Sequence, residues 1–263
     1  MHRRISRSWS RAVVLAGALA FAQAAVSGRV ILNNDDWTLT NEGFAQAPAS
    51  TAIFAQNLAA FMNIDRGACR LLVYSGNFAF TGSSLNSALT DAGCSVTYDT
   101  GAFNLVALSA YDGVFLGAHA YSYNAAILTS YVNSGHSVYI ADGTGYPAED
   151  TMWDAFTHDF GLDFGPSYNG ISGTLSIVGG LPLFAGVTQL YFNNGNSVSL
   201  FGSNPNAQIV AIPSGAEGAG LFGIFSDTTD HFADPLAIPE PAIIGLLGVG
   251  LAGLAYARRK RRV

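Results

Sequence analysis

Four short apolar segments decide the fold: RLLVY at residues 70–74, SVTY at 95–98, GVFL at 113–116 and VYIA at 138–141. Each is about as long as one β-strand of a globular protein. Most of their residues are β-branched, aliphatic or aromatic, the types that strands favour. Apolar residues stand at consecutive positions in RLLVY, GVFL and VYIA, and such short apolar segments are typical of strands covered on both faces.

Segments with helical periodicity separate these strands. Apolar side chains recur every three or four residues, and Gly93 and Gly135 follow two of the segments as stop signals. Helices are predicted over residues 51–62, 84–92, 124–133 and 148–160, a helical turn over 105–111, and a first strand over 30–32. Strands that alternate with helices predict an α/β fold, with a parallel, Rossmann-like sheet and helices on both faces.

The chain after Gly161 has a different texture, rich in glycine, asparagine and serine and without helical periodicity. Short β-like segments are predicted at residues 175–178, 190–192, 198–200, 208–212 and 221–225. They indicate a β-rich C-terminal extension, whose strands lengthen the sheet or pair as hairpins beside it.

Three segments carry a family resemblance: YSGN at residues 74–77, YDGVFLG at 111–117 and LPLFAGV at 181–187. Over residues 28–225 the chain resembles the class I glutamine amidotransferase-like superfold, in particular its non-amidotransferase relatives. The resemblance implies a parallel α/β sheet. Active members carry a nucleophilic cysteine on a G-x-C-x-G turn, and the best match here has His119 in its centre and no closing glycine. We therefore expect no cysteine-based amidase chemistry and a domain that is not an enzyme.

A tripartite tail follows the domain. Pro239-Glu240-Pro241 precedes an apolar run over residues 242–257 and five basic residues at 258–262. Residues 238–263 resemble the PEP-CTERM sorting signal of bacterial envelope proteins, which implies processing by a membrane-embedded exosortase. As a helix the apolar run would rise about 24 Å, short of a hydrocarbon core of about 30 Å. The alternative is an ordinary membrane anchor that is never cut.

The N-terminal residues also indicate export. Four arginines precede an apolar run over residues 12–21, and Ala22-Gln23-Ala24 is a small-x-small cleavage site. We expect a signal peptide over 1–24 that signal peptidase removes, the α/β domain over 25–226 and a linker over 227–237. An uncleaved N-terminal anchor is the alternative.

The domain itself is strongly acidic. Residues 25–238 contain three basic side chains, all arginine, against 17 acidic ones, a formal charge near −14. Nucleic acid is excluded as a partner, because its binding requires Lys and Arg to neutralise phosphates. The acidic surface keeps an exported protein soluble or attracts divalent cations.

Two cysteines, Cys69 and Cys94, stand directly before predicted strands. If those strands are parallel neighbours, their spacing of about 4.8 Å suits the Cα separation of a disulfide. Because export favours oxidation, we expect a Cys69–Cys94 bridge. The alternative is a pair of buried free thiols.

Polar residues follow the strands at their carboxyl ends, where open α/β sheets bind ligands. This rim comprises Asn34, Asp35, Asp36, Ser75, Asn77, His119, Tyr121, Asp142 and Thr144. It predicts a site for a small molecule, a glycan or a cation. The alternative is that polar residues merely cap the turns, as in any such fold.

More specific chemistry has less support in the sequence. Residues 33–36 could give oxygen ligands to calcium, but the D-x-D-x-D-G spacing of a calcium loop is missing. A Ser75–His119–Asp triad rests on position alone. No H-x-x-x-H or H-E-x-x-H spacing indicates zinc. We expect no cofactor other than, at most, calcium.

The sequence therefore predicts an exported protein of the cell envelope or extracellular matrix, held at the membrane transiently or permanently by residues 242–257. Its α/β domain is expected to be non-catalytic and to bind a glycan, such as an exopolysaccharide, or a small ligand. A secreted hydrolase that uses the strand-end crevice and a calcium-dependent adhesion module are the two alternatives.

Overall fold

The computed structural model describes residues 28–63, 67–76, 78–117, 123–143, 145, 148–178, 180–210 and 220–227. The predicted signal peptide, all but the first residue of the linker, and the sorting tail lie outside these ranges. Within them, no helix combines the length and apolar character needed to cross a membrane.

Strands make up the centre of the molecule. They are β1 (Arg29–Asn33), β2 (Arg70–Val73), β3 (Ser95–Tyr98), β4 (Gly113–Gly117), β5 (Ser137–Ala141), β6 (Leu162–Phe164), β7 (Ser172–Ser176), β8 (Gln189–Asn193), β9 (Val198–Leu200), β10 (Ala207–Val210) and β11 (Phe222–Ser226). Seven of them form one sheet in the order β10-β11-β1-β5-β4-β2-β3. β1 to β5 pair in parallel, whereas β11 and β10 pair antiparallel at one edge. The largely parallel α/β sheet is confirmed.

Helices connect the parallel strands. They are α1 (Asn41–Gln46), α2 (Pro48–Met62), α3 (Ser83–Asp91), α4 (Leu105–Leu108), α5 (Ala125–Asn133), α6 (Glu149–Met152) and α7 (Asp154–Thr157). Turns of 3₁₀ helix lie at Asp36–Leu39, His158–Phe160 and Pro182–Phe184. The continuous helix predicted over 148–160 is wrong, because it is broken at Trp153. The Trp153 amide donates to the carbonyl of Thr151 rather than to that of Glu149 four residues back, which ends α6.

Both faces of the central strands β1, β4 and β5 are buried, as predicted, whereas the edge strand β3 is largely exposed and that part of the prediction is wrong. On one face Ile31, Phe115 and Tyr139 pack in a core with residues of α2 and α3, including Phe54 and Leu89. On the other face Val30, Val114 and Ile140 pack with residues of α5 and α7, including Leu128 and Phe156. Alternate residues of a strand point to opposite faces, so consecutive apolar residues serve both cores.

The C-terminal extension is rich in β-strands, as predicted. β10 and β11 lengthen the sheet, and β7 pairs antiparallel with β8 beside it. A further pair, β6 with β9, includes the strand Leu162–Phe164 that the sequence did not predict. β7 lies at Ser172–Ser176 rather than at 175–178, since its position is set by hydrogen bonds to β8 and not by an apolar run of its own.

The disulfide lies where the strand order requires it. β2 and β3 are parallel neighbours with Arg70 opposite Ser95, so the residues that precede them are adjacent. Cys69 and Cys94 are bonded with a Cα–Cα distance of 4.5 Å. The predicted bridge is confirmed.

Candidate functional site

The parallel strands β1, β5, β4 and β2 are neighbours in the sheet, so their carboxyl ends lie side by side. Among the predicted rim residues, Asn77, His119, Tyr121 and Thr144 lie outside the described residues. Asn34, Asp35, Asp36, Ser75 and Asp142 are described, and each is at most 5% exposed. The structure joins the ends of β1 and β5 directly, because the amide of Asp142 donates to the carbonyl of Asn33 at 3.1 Å.

Both carboxylate oxygens of Asp35 accept hydrogen bonds from backbone amides. Its Oδ1 accepts a hydrogen bond from the amide of Trp37 at 2.8 Å, which caps the 3₁₀ turn after β1. Its Oδ2 accepts from the amides of Asn193 and Gly195, at 2.6 and 3.0 Å. One carboxylate therefore fixes two chain segments, the turn after β1 and the loop after β8.

Asn34 binds the same loop through its backbone and its side chain. The amide of Asn196 donates to the Asn34 carbonyl at 2.7 Å, and Asn34 Nδ2 donates to the Asn196 carbonyl at 3.0 Å. A Cβ at Gly195 would lie 2.0 Å from the Asn34 carbonyl oxygen, and one at Gly143 would lie 2.7 Å from the Gly195 Cα. The backbones of three segments thus pack directly against one another: the turn after β1, the turn after β5 and the loop after β8. Protein atoms therefore fill this part of the rim.

The carboxyl groups of Asp142 and Glu149 are both buried and lie close to each other. Glu149 accepts hydrogen bonds from the amides of Gly143 and Gly145, at 3.0 and 2.7 Å, and so closes the loop between β5 and α6. Asp142 is fully buried, and its oxygens lie near the Glu149 carboxyl group and the Gly143 amide without a well-formed hydrogen bond. Burial, followed by the Glu149 carboxyl group and Asp36, holds the pKa of Asp142 well above its ordinary value.

Burial also raises the pKa of Asp35, to about 6, although three backbone amides act in the opposite direction. The described basic side chains do not neutralise this cluster. Arg29 and Arg70 begin β1 and β2, at the other end of the sheet, and Arg29 stacks on Phe61 at 3.9 Å. Both arginines therefore lie at the opposite end of the strands from Asp35, Asp36 and Asp142.

The strand order reverses between β2 and β4, since the chain moves outward from β2 to β3 and then returns to β4. Such a switch point is where open α/β sheets leave a crevice. Ser75 follows β2 there, and Trp37 and Phe78 lie beside each other with ring centroids 5.0 Å apart. Residues 118–122 follow β4 and lie outside the described residues, so His119 and Tyr121 are assigned to this part of the rim by sequence position alone.

Sequence reasoning missed two features. Glu149 belongs with Asp142, and the signal was an acid in the first helical turn after a glycine-containing loop. Asp154, His158 and Asp163 also come together, with one ligand atom of each within 4.8 Å of the others. The Asp154-x-x-x-His158 spacing puts two ligands one turn apart, a signal that a search for histidine pairs overlooks.

Comparisons with known proteins bear mainly on the tail. Residues 237–262 match the PEP-CTERM protein-sorting motif. The chain carries an exosortase sorting signal. The match covers Pro239, Glu240 and Pro241 and supports an exported protein that is anchored at the envelope before cleavage and processed by an exosortase, a membrane enzyme. No curated protein matches the chain.

One solved structure shows limited similarity to the chain. It is described as the structure of IMPa from Pseudomonas aeruginosa in complex with an O-glycopeptide, with 16% identity and a TM-score of 0.33. The similarity covers 43% of this chain and only 13% of that one. At this level it supports no argument about fold or activity, and the glutamine amidotransferase-like resemblance is not confirmed.

Proposed function

We propose that this protein is a non-catalytic binding protein of the cell envelope or extracellular matrix, delivered there by its exosortase signal. The observation that carries the proposal is the sorting motif over residues 237–262. The Cys69–Cys94 disulfide supports it, because disulfides persist in oxidising compartments outside the cytoplasm. The excess of acidic residues is consistent with solubility after export.

The buried carboxylates argue against hydrolysis at the filled part of the rim. A general base needs a lone pair within hydrogen-bond reach of the substrate. Asp35 and Glu149 instead accept hydrogen bonds from backbone amides through both oxygens. These two side chains stabilise loops, and they leave the switch point between β2 and β4 as the place for a ligand.

The proposed ligand site therefore comprises Ser75, Asn77, His119 and Tyr121, at the ends of β2 and β4. Hydroxyl, amide, imidazole and phenol groups suit the hydrogen bonding and ring stacking of a neutral or cationic glycan. The acidic domain disfavours polyanionic polysaccharides as ligands.

Binding to neutral and anionic exopolysaccharides tests this proposal. The full chain should be retained by a neutral polysaccharide, and His119→Ala and Tyr121→Ala should reduce that retention at least about tenfold, a loss of about 1.4 kcal/mol. Phe201→Ala is the matched control, because Phe201 is a similarly large aromatic residue, 46% exposed, that lies against His158 instead. Equal retention of all variants, or hydrolysis of the polysaccharide that depends on Ser75, would contradict the proposal.

A further inference from the structure

A second cluster of polar side chains lies away from the strand-end rim, on the segment that joins α7 to β6. His158 Nε2 lies 3.0 Å from Asp163 Oδ1 and 3.8 Å from Asp154 Oδ1. The three side chains are 29 to 36% exposed, so solvent reaches the space between them. They are open to solvent, unlike the buried carboxylates of the rim.

The local backbone brings these side chains together. Asp154 begins α7 and His158 follows one turn later, so both project from the same side of the helical segment. Gly161 then adopts a left-handed conformation with φ 75°, which returns the chain as β6 and places Asp163 beside His158. A side chain at Gly161 would collide with Asn204, 2.4 Å from its Cβ, so the turn requires glycine.

The imidazole is held in a fixed plane. The ring of Phe201 stacks on His158 with centroids 3.6 Å apart and an interplanar angle of 4°. The backbone of Phe201 is held in place, because its amide donates to the carbonyl of Gly161 at 2.9 Å. Oriented imidazoles lose less entropy when they coordinate an ion.

We propose that Asp154, His158 and Asp163 bind a first-row divalent cation of the zinc type. Zinc binds imidazole nitrogen and carboxylate oxygen at about 2.0 to 2.2 Å, so two ligand atoms of a tetrahedral site lie about 3.3 Å apart. His158 Nε2 lies 3.0 Å from Asp163 Oδ1 and 3.8 Å from Asp154 Oδ1, one distance shorter and one longer than this value. Small side-chain rotations would therefore complete the site. Three protein ligands leave at least one position for water or for a group on a partner molecule.

The charge balance favours a dication. The two carboxylates supply a formal charge of −2 to this cluster. No lysine or arginine forms an ion pair with these carboxylates within the described part of the chain. Zinc would coordinate Nε2, the atom that now bonds to Asp163, so the bound ion replaces that hydrogen bond.

Zinc titration of the metal-free full chain tests the site. We expect one equivalent of zinc to bind to the unaltered protein and to Asp159→Asn, and His158→Ala and Asp163→Asn to bind at least about 100-fold more weakly. That estimate follows from the 10- to 100-fold losses typical of removing even an outer-shell group. Asp159 is the matched control, because it is exposed and bonds to Thr129 Oγ1 rather than to the cluster.

Cobalt substitution gives a second measurement, because visible absorption of bound Co²⁺ reports coordination by the protein. The absorption should appear in the unaltered protein and vanish in Asp163→Asn, a nearly isosteric change whose folding is checked by its circular dichroism spectrum and cooperative melting. The proposal is overturned if the unaltered protein binds no zinc, or if Asp163→Asn and His158→Ala retain full affinity because other histidines hold the ion.

Discussion

The proton affinity of a buried carboxyl group depends on the groups that surround it. Asp35 and Asp142 are both fully buried at the ends of adjacent strands. Asp35 has three amide donors, whereas Asp142 faces the Glu149 carboxyl group and the charge of Asp36. The sequence predicts both as members of one polar rim. It cannot distinguish them, because two of the three donors of Asp35 come from residues about 160 positions along the chain.

Stability should fall as the pH rises through the acid range. The pKa of Asp35 is about 6 in the folded state against 3.8 ordinarily, and that of Asp142 is raised as well. Between about pH 4 and pH 6 the folded state therefore holds more protons than the unfolded one, so the free energy of unfolding decreases as these protons are lost. Urea unfolding should give a larger free energy at pH 5 than at pH 7.5. The opposite slope would contradict the account.

Asp142→Asn should stabilise the protein at pH 7.5. The amide removes a charge that burial and Glu149 disfavour, and its Nδ2 can donate to the Glu149 carboxylate. We expect a larger free energy of unfolding than that of the unaltered protein at pH 7.5 and a smaller difference at pH 5. A loss of stability at pH 7.5 in urea unfolding would mean that Asp142 has a favourable partner in its ionised form.

Asp35→Asn should instead lower the free energy of unfolding. The substituted amide can accept through one oxygen only, so either the amide of Trp37 or the amides of Asn193 and Gly195 lose their acceptor. We expect a loss of about 2 to 3 kcal/mol from one charge-assisted hydrogen bond and a buried unsatisfied group. Because the two substitutions are chemically identical and lie at neighbouring strand ends, opposite signs in the same unfolding assay test the environments assigned to them.

Elements of secondary structure were predictable wherever the local sequence determines them. Strands β2, β4 and β5 contain consecutive apolar residues because both of their faces are covered, and this pattern identifies them without tertiary information. β7 has the sequence SGTLS and exists because it pairs with β8, so its position could not be read from its own residues. The Asp154–His158–Asp163 cluster was missed for a related reason, since Asp163 is placed by the turn at Gly161 and by the pairing of β6 with β9.

The disulfide stabilises the pairing of β2 with β3 at the sheet edge, on the side opposite β10. It closes a loop of 25 residues, for which loop entropy in the unfolded chain gives about 3 kcal/mol. The Cys69→Ser, Cys94→Ser double variant should therefore unfold at a clearly lower urea concentration, and reductant should have little further effect on it. Equal midpoints for the double variant and the oxidised protein would show that the bridge is not formed in the exported protein.

The whole molecule combines an acidic domain with a sorting tail. Only Arg29, Arg66 and Arg70 are basic in residues 25–238, whereas five basic residues are concentrated at 258–262. Basic residues beside an apolar segment favour the cytoplasmic side of a membrane, which places the domain on the other side. Export, the disulfide and the acidic surface thus agree, although they depend on different parts of the chain.

The most direct test of this account is the mass of the protein recovered from producing cells that contain an exosortase, measured separately in the cytoplasm and in the envelope or extracellular fraction. The account predicts that the protein lies outside the cytoplasm, begins near residue 25, lacks the basic cluster at 258–262 and contains no free thiol. A full-length chain of 263 residues in the cytoplasm, with its leader attached and both cysteines free, would contradict it.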